Sequence, residues 1–227
     1  HREELGRVYG LLADDHSRKV LRDVVEYKLT GDIKLLRGCE SEPREAWESI
    51  LRPGKEGHYM DLGAYTGDTI AEFIGYAGEW RRITALEPDP VTFAKLERNT
   101  AGLHDCILYR LGAYSRYARL PFAGGAGRGS HLAAGGAMTE LDSVDNILCG
   151  QTVSLINMDV EGMEAEAIAG MAKTLRRHRP KLLIAGYHRS EDLWRLPLEV
   201  LAIQPEYKVY VRHYPCLPAW DVNFYFV

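Results

Sequence analysis

Cysteine is scarce: Cys39, Cys106, Cys149 and Cys216 are all that 227 residues contain, with no Cys-x-x-Cys pair and no histidine at zinc-site spacing. That excludes a disulfide scaffold and a zinc module, and predicts reduced, mostly buried thiols in a cytoplasmic protein. Long apolar runs are missing too. The best is Leu182-Leu183-Ile184-Ala185, far short of the ~20 residues that span a bilayer, so no membrane partner is expected. Neither sign of charge dominates: 28 Lys and Arg against 32 Asp and Glu give a formal net charge of -4, with no general pull towards nucleic acid or anionic lipid. His1-Arg2-Glu3-Glu4 is charged rather than signal-like and is expected to be a truncated or tag-derived start. With 46% apolar residues the chain is too apolar for disorder, and its length fits one domain or one domain with a modest extension.

What is present is a regular alternation. Residues 1–54 read as helical. Val20, Leu21, Val24, Val25 and Leu29 recur at helical spacing behind Ser17 as N-cap, and Gly31 follows as a stop. Pro43 opens a second helix over 44–51, and Pro53-Gly54 closes the segment. From His58 onward the pattern predicts strands over 59–62, 83–86, 106–111, 152–159, 181–185, 207–211 and 222–227. Helices are predicted between them, over 67–74, 90–99, 164–177 and 193–203. Such alternation implies a mostly parallel sheet covered on both faces, and the closing pair of strands implies an antiparallel hairpin at one edge. The expected organisation is a helical N-terminal cap, 1–54, on an α/β domain, 55–227. Ala123 to Gly136 breaks the pattern with six glycines, too many for a helix or strand interior. It is read either as a lid bringing Ser130 and His131 to a substrate or as a slack loop.

Asp61-Leu62-Gly63-Ala64-Tyr65-Thr66-Gly67-Asp68-Thr69 joins the first strand to a helix. Glycines there let the backbone turn sharply and present N–H groups to a ligand. The dinucleotide fingerprint Gly-x-Gly-x-x-Gly lacks its second glycine, the one that lets backbone touch a pyrophosphate, because Tyr65 stands there. That counts against a dinucleotide-binding oxidoreductase, which is kept as the alternative class. Asp61 would repel a phosphate but suits an ammonium group, such as the amino-acid end of S-adenosylmethionine (SAM). The second strand ends in Glu87-Pro88-Asp89-Pro90, twenty-six residues after Asp61. A carboxylate at that place reaches the ribose hydroxyls of an adenosine. A blander role for Glu87 or Asp89 is to cap the helix that Pro90 opens. Turn and carboxylate together, in this order, point to an adenosine ligand.

With Asn157-Met158-Asp159-Val160-Glu161-Gly162-Met163-Glu164 added, the chain resembles the FkbM-type SAM-dependent methyltransferases. Gly186-Tyr187-His188-Arg189-Ser190-Glu191-Asp192-Leu193-Trp194 and Tyr207 to His213 look like one subgroup of that family. Ser17-Arg18 and Thr30-Gly31-Asp32 are similar to its helical extension. The resemblance implies a Rossmann-like class I methyltransferase fold: a seven-stranded, mostly parallel sheet in the order 3-2-1-4-5-7-6, the last strand antiparallel, with helices on both faces. It implies transfer of a methyl group from SAM to a hydroxyl of a sugar, polysaccharide or natural-product acceptor. A non-catalytic SAM-binding protein of the same fold is the other outcome it allows. Two departures stand out: the family often has Lys where Asn157 stands, and many members outside this subgroup carry a Glu near Gly186.

Ligands of open parallel sheets bind beyond the carboxyl ends of the strands. Asp61, Glu87, Gly112-Ala113, Asp159 to Glu161, Tyr187-His188 and Arg212-His213 all fall at such ends. The expected cofactor contacts are Asp61, Gly63, Ala64, Tyr65, Gly67, Asp68, Thr69, Glu87, Pro88, Gly112, Ala113 and Asp159. Asp159 and Glu161 are read as SAM and substrate contacts or as ligands of a divalent cation; the blander role is that Glu161 and Glu164 favour the positive start of a helix. His188 is the expected general base, because imidazole titrates near neutral pH, with Asp159 and Glu161 as its catalytic partners. Ser130, His131, Tyr187, Arg212 and His213 are expected to meet the acceptor. No Asn-Pro-Pro-Tyr block follows the fourth strand, and Arg176-Arg177-His178-Arg179 suits a helix C-terminus, so nucleic acid is not an expected partner.

Overall fold

The structure, a computed structural model, describes residues 1–123, 131–132, 136–215 and 221–227; for residues 122, 123, 131 and 132 it describes backbone only. The chain opens with four helices, α1 (Arg2–Leu11), α2 (Asp15–Thr30), α3 (Ile33–Gly38) and α4 (Pro43–Glu45), the last running into a π-helical turn, Ala46–Leu51. There follow β1 (His58–Leu62), α5 (Asp68–Ala77), β2 (Arg82–Leu86), α6 (Pro90–Thr100) and β3 (Cys106–Tyr109). Short elements come next: β4 (Gly112–Ala113), β5 (Ala118–Ala123), β6 (His131–Leu132), β7 (Ala137–Asp142) and α7 (Val144–Leu148). The chain ends with β8 (Leu155–Met158), α8 (Glu164–Gly170), α9 (Ala172–His178), β9 (Lys181–Ala185), α10 (Asp192–Ile203), β10 (Val209–His213) and β11 (Val222–Phe226).

The main sheet has seven strands in the order β10-β11-β9-β8-β1-β2-β3. Counting only its own strands, that is the expected 3-2-1-4-5-7-6. β11 runs antiparallel to both β10 and β9, as the loop between the last two strands implied. Two compact units make up the chain: Pro53–Pro180, and His1–Arg52 together with Lys181–Val227.

In the unit 53–180, β1 lies between β2 and β8, parallel to each, with Tyr59 opposite Ile83 on one side and Leu155 on the other. Every residue of β1 and β8 is buried. A parallel strand covered on two faces has no solvent side, so neither strand alternates buried with exposed residues. α6 starts where Pro90 fixes the first turn and Asp89 accepts from the N–H groups of Val91 and Thr92, both at 2.9 Å. A second sheet, in the order β4-β7-β5-β6, stands apart from the expected alternation. Its strands are short, and one contains Pro121, which strand patterns exclude from sheet interiors. The single helix expected over 164–177 is broken at Met171 into α8 and α9. There a Cβ on Gly170 would stand 2.0 Å from the carbonyl oxygen of Tyr114, so the strand-to-strand backbone presses directly on the helix.

The unit 1–52 with 181–227 joins the helical extension to the last three strands. The expected division into a separate cap, 1–54, and a domain, 55–227, is therefore not the one the packing makes. The N–H of Ala13 donates to Val209 at 2.8 Å, that of Ser41 to His213 at 2.8 Å, and the Ser17 hydroxyl accepts from Val211 N–H at 3.0 Å. Ser17 is thus a buried bridge to β10, and the cap of α2 is Asp14, accepting from Ser17 N–H at 2.6 Å. Gly31, at φ 75°, closes that helix by donating to Tyr27. Among the described cysteines Cys39 is buried, Cys106 half-buried and Cys149 exposed, so burial is less general than expected. Among the described residues, no helix is long and apolar enough to cross a membrane.

Candidate cofactor and catalytic site

In the unit 53–180, β1 ends at Leu62 and the chain turns through Gly63 at φ 84°, Tyr65 at φ 47° and Gly67 at φ 90° before α5 begins. Both Gly63 N–H and Ala64 N–H donate to the Leu86 carbonyl, at 3.0 and 2.9 Å, which ties the turn to the end of β2. Gly63 is required by a neighbour: a Cβ there would stand 1.9 Å from the Asp159 carbonyl oxygen. At Gly67 a Cβ would meet Leu96 of α6 at 3.1 Å. Tyr65 is the only non-glycine of the turn forced into left-handed backbone, a conformation that costs about 1 kcal/mol or more and is held by its surroundings.

Part of that hold is Glu87. Its carboxylate accepts from Tyr65 N–H at 3.0 Å and from Asp89 N–H at 2.8 Å, one bond per oxygen. Each oxygen keeps a second lone pair, the number needed to accept from two vicinal hydroxyls. The side chain is almost wholly buried, and burial, helped by the nearby Asp89 and Asp61 charges, pushes its pKa up to about 7 against the bonds from Asp89 and Tyr65. Asp61 is buried completely. Its Oδ2 accepts from the Thr69 hydroxyl at 2.5 Å and from Tyr59 at 3.3 Å, and its Oδ1 from the Asn157 amide at 2.9 Å. Expected beside an ammonium group, Asp61 instead faces three donors of the protein itself. Asn157 was noticed in the sequence only as a departure from the family pattern; a polar residue inside an otherwise apolar buried strand was the available signal.

Gly112 and Ala113 form β4 and pair with Leu141 and Asp142. Pro88 lies beside them, 3.8 Å from where a Gly112 Cβ would be. Asp68 is exposed at the start of α5. Past β8, Asp159 donates its N–H to the Leu62 carbonyl at 2.9 Å, joining the two strand ends. Glu161, at φ 53°, and Gly162, at φ 92°, then make a second left-handed turn. Glu164 is buried and accepts from the N–H groups of Val160 and Gly162, at 3.2 and 3.3 Å. The helix-start role belongs to Glu164, while Asp159 and Glu161 stay half-buried.

In the other unit, Tyr187 and His188 follow β9 with their rings 4.4 Å apart, both half-buried. His213 ends β10 opposite Val222 and is buried. Arg212, expected to meet the acceptor, has its guanidinium bound to Glu45 at 2.8 and 3.0 Å, to Asp14 at 2.8 Å and to the Ser17 hydroxyl at 2.8 Å. Only 2% of its side chain is exposed. Burial opposes its charge, but the bonds to Glu45 and Asp14 hold it still more firmly protonated than usual. An arginine saturated by two carboxylates reads as a structural tie, a role its position at a strand end did not disclose. Ser130 lies outside the described residues, as does most of the glycine-rich segment; His131 is described only as backbone in β6.

Comparison with known proteins agrees with this geometry. A family model described as the methyltransferase FkbM domain matches residues 61–210. No curated protein matches the chain. Among solved structures, methyltransferase FkbM from Methylobacillus flagellatus KT is 28% identical with a TM-score of 0.87, covering 100% of this chain and 58% of that one. The chain therefore spans 58% of that relative's length. Fibrillarin from Aeropyrum pernix, solved with natively bound S-adenosyl-L-methionine, is 14% identical with a TM-score of 0.52, covering 81% of this chain and 71% of its own. An rRNA methylase from Streptococcus thermophilus is 12% identical with a TM-score of 0.54, covering 82% and 96%. At those identities the two likenesses show the fold alone.

Proposed function

The chain belongs to the FkbM methyltransferase family, and from that premise we propose that it transfers a methyl group from SAM to a hydroxyl of a sugar, polysaccharide or natural-product acceptor. The observation that carries the cofactor is Glu87: a buried carboxylate at the end of β2, bonded to the turn after β1, with lone pairs left for a ribose diol. The turn and the carboxylate lie beside the point where the strand order reverses, between β1 and β8, the usual ligand position in such sheets. Tyr65 in place of a pyrophosphate-contacting glycine speaks against a dinucleotide.

SAM, when bound, supplies a methyl group already activated on sulfonium. What the protein must add is alignment of the acceptor and removal of its proton, since a protonated alcohol is a poor nucleophile. The Gly63–Gly67 turn with Ala64, Tyr65 and Glu87 holds the nucleoside end, and Gly112, Ala113 and Pro88 border it. His188 takes the hydroxyl proton, and Asp159 and Glu161 bind or orient the acceptor. Both carboxylates are oxygen donors of the kind a divalent cation takes, and a cation held there would acidify the hydroxyl. Tyr187 and His213 belong to the acceptor side. The protein acts in the cytoplasm on a small molecule or glycan, without nucleic acid or membrane.

The test is turnover with SAM and a panel of hydroxylated acceptors, followed as S-adenosylhomocysteine and methyl ether by mass spectrometry. A methyl ether is expected. His188→Ala should slow it ~10²–10⁴-fold, the span of a lost general base, with SAM affinity unchanged. Near-normal turnover of that variant, stopped by a chelator, would give the proton transfer to a metal site; methylation confined to amines or nucleic acid would overturn the acceptor class.

A further inference from the structure

Three hydrogen-bond donors from three elements converge on one fully buried carboxylate. Asp61 stands on β1, Thr69 in the first turn of α5, Asn157 on β8, and Tyr59 two residues before Asp61 on the same strand. Tyr59 also stacks on Phe73 of α5, rings 4.2 Å apart and nearly parallel. The segment these groups bracket is the turn from Gly63 to Gly67. We propose that Asp61 is a positioning residue and not a ligand of the cofactor: its ionised carboxylate clamps the start of α5 and the strand β8 to β1, and so fixes the backbone of the turn between them.

Three observations support the clamp. No part of Asp61 is exposed, so no ligand group reaches it. The Asn157 amide can only donate through its nitrogen, and the two hydroxyls donate to an acceptor that is ionised, so the arrangement is complete when Asp61 carries its charge. The turn itself contains left-handed backbone at Gly63, Tyr65 and Gly67, a shape that persists only where the surroundings impose it. Protonation of Asp61 would turn the Thr69 hydroxyl from donor to acceptor and weaken the bond that holds the helix start. The groups facing Asp61 set where that happens: burial raises its pKa to about 6, Thr69, Asn157 and Tyr59 lower it, and Asp68 raises it. The Glu87 charge, just past the end of β2, couples to it as well. The turn should therefore be firm above about pH 6 and loosen below it.

That the turn receives SAM rests on the function proposed above, and the test separates the two. Hydrogen–deuterium exchange of residues 63–69 is measured in the ligand-free chain alongside SAM affinity by calorimetry, from pH 5 to 8, for wild type, Thr69→Val, Thr69→Ser and Asn157→Leu. Thr69→Val keeps the shape and removes the donor. It should speed exchange in the turn, weaken SAM roughly tenfold as expected for losing a bond to a charged group, and move the acid limb of the affinity profile to higher pH. Thr69→Ser, which keeps the hydroxyl, should return the limb and most of the affinity. Asn157→Leu, acting from another strand, should move the limb the same way. Unchanged exchange and an unmoved limb in both Thr69→Val and Asn157→Leu would overturn the clamp. Exchange that responds in a wild type unable to bind SAM at any pH would overturn the cofactor and leave the clamp standing.

Discussion

Gly63 shows how much a single missing Cβ decides. With φ 84° and the Asp159 carbonyl 1.9 Å from where a Cβ would stand, Gly63→Ala must both strain its own backbone and push the β8 loop away. Urea unfolding should show a loss of about 3 kcal/mol, at the upper end for backbone strain and a clash combined. The sequence marked this glycine for ligand approach; the close approach is real, but the approaching atom belongs to the protein. Glu87 carries a pH signature. Its folded-state pKa, about 7, lies above the ordinary 4.5, so the stability its burial permits is whole below pH 4.5 and is lost as pH rises through 7. Glu87→Gln removes that charge and some of the hydrogen bonding to Tyr65 and Asp89. Between pH 5 and 8 the wild type should therefore lose about 1–3 kcal/mol relative to Glu87→Gln, seen as converging or crossing midpoints in urea titrations at each pH. Parallel curves would mean that Glu87 is not buried as a charge. A residue that is held at such expense to stability, beside a half-buried left-handed turn, is the pattern expected of a binding group.

At the scale of elements, α2 and β10 are joined more tightly than their separation in sequence suggests. Arg212, a residue of β10, takes Asp14, the cap of α2, and Glu45, next to the π-helical turn. Arg212→Met fills much of the same space and leaves two carboxylates without their cation. A loss of about 2 kcal/mol at pH 7 is expected, below the ~3–5 of fully buried pairs, because Asp14 and Glu45 still reach water. Burial raises the pKa of Asp14, but its bonds to Arg212 and Ser17 lower it further, so the net shift is downward. The stability this pair supplies is present above the ordinary carboxylate range and disappears as pH falls through it. The difference between Arg212→Met and wild type should accordingly shrink on acidification; a difference that grew would contradict the ion-pair account. The pattern of helices and strands was legible because helical spacing, Pro90 and Gly31 act locally. The tie was not, because the residues that meet Arg212 are 198 and 167 positions away. The second sheet stayed hidden for another reason: two of its strands have only two residues and carry no period to detect, and the six-residue β5 contains Pro121, which argues against a strand.

The whole molecule was the most legible level. Seven strands in the order the family resemblance implied bring Asp61, Glu87 and Asp159 to the ends of β1, β2 and β8, and three hydrogen bonds, Tyr65 to Glu87, Asn157 to Asp61 and Asp159 to Leu62, link those ends. What a sequence cannot show is which carboxylates at those ends remain available. Asp61 and Glu164 are taken up by the protein's own N–H and O–H groups, whereas Glu87 keeps lone pairs for a ligand. Cofactor binding through Glu87 is thus the claim on which the rest depends. Calorimetric titration of SAM into wild type and Glu87→Ala at pH 8, where the wild-type carboxylate is ionised, tests it most directly. One site per chain is predicted, weakened in the folded variant by about 1.5–3 kcal/mol, the range for hydrogen bonds to a charged group. Equal affinity in the two proteins, or no binding by either, would contradict it.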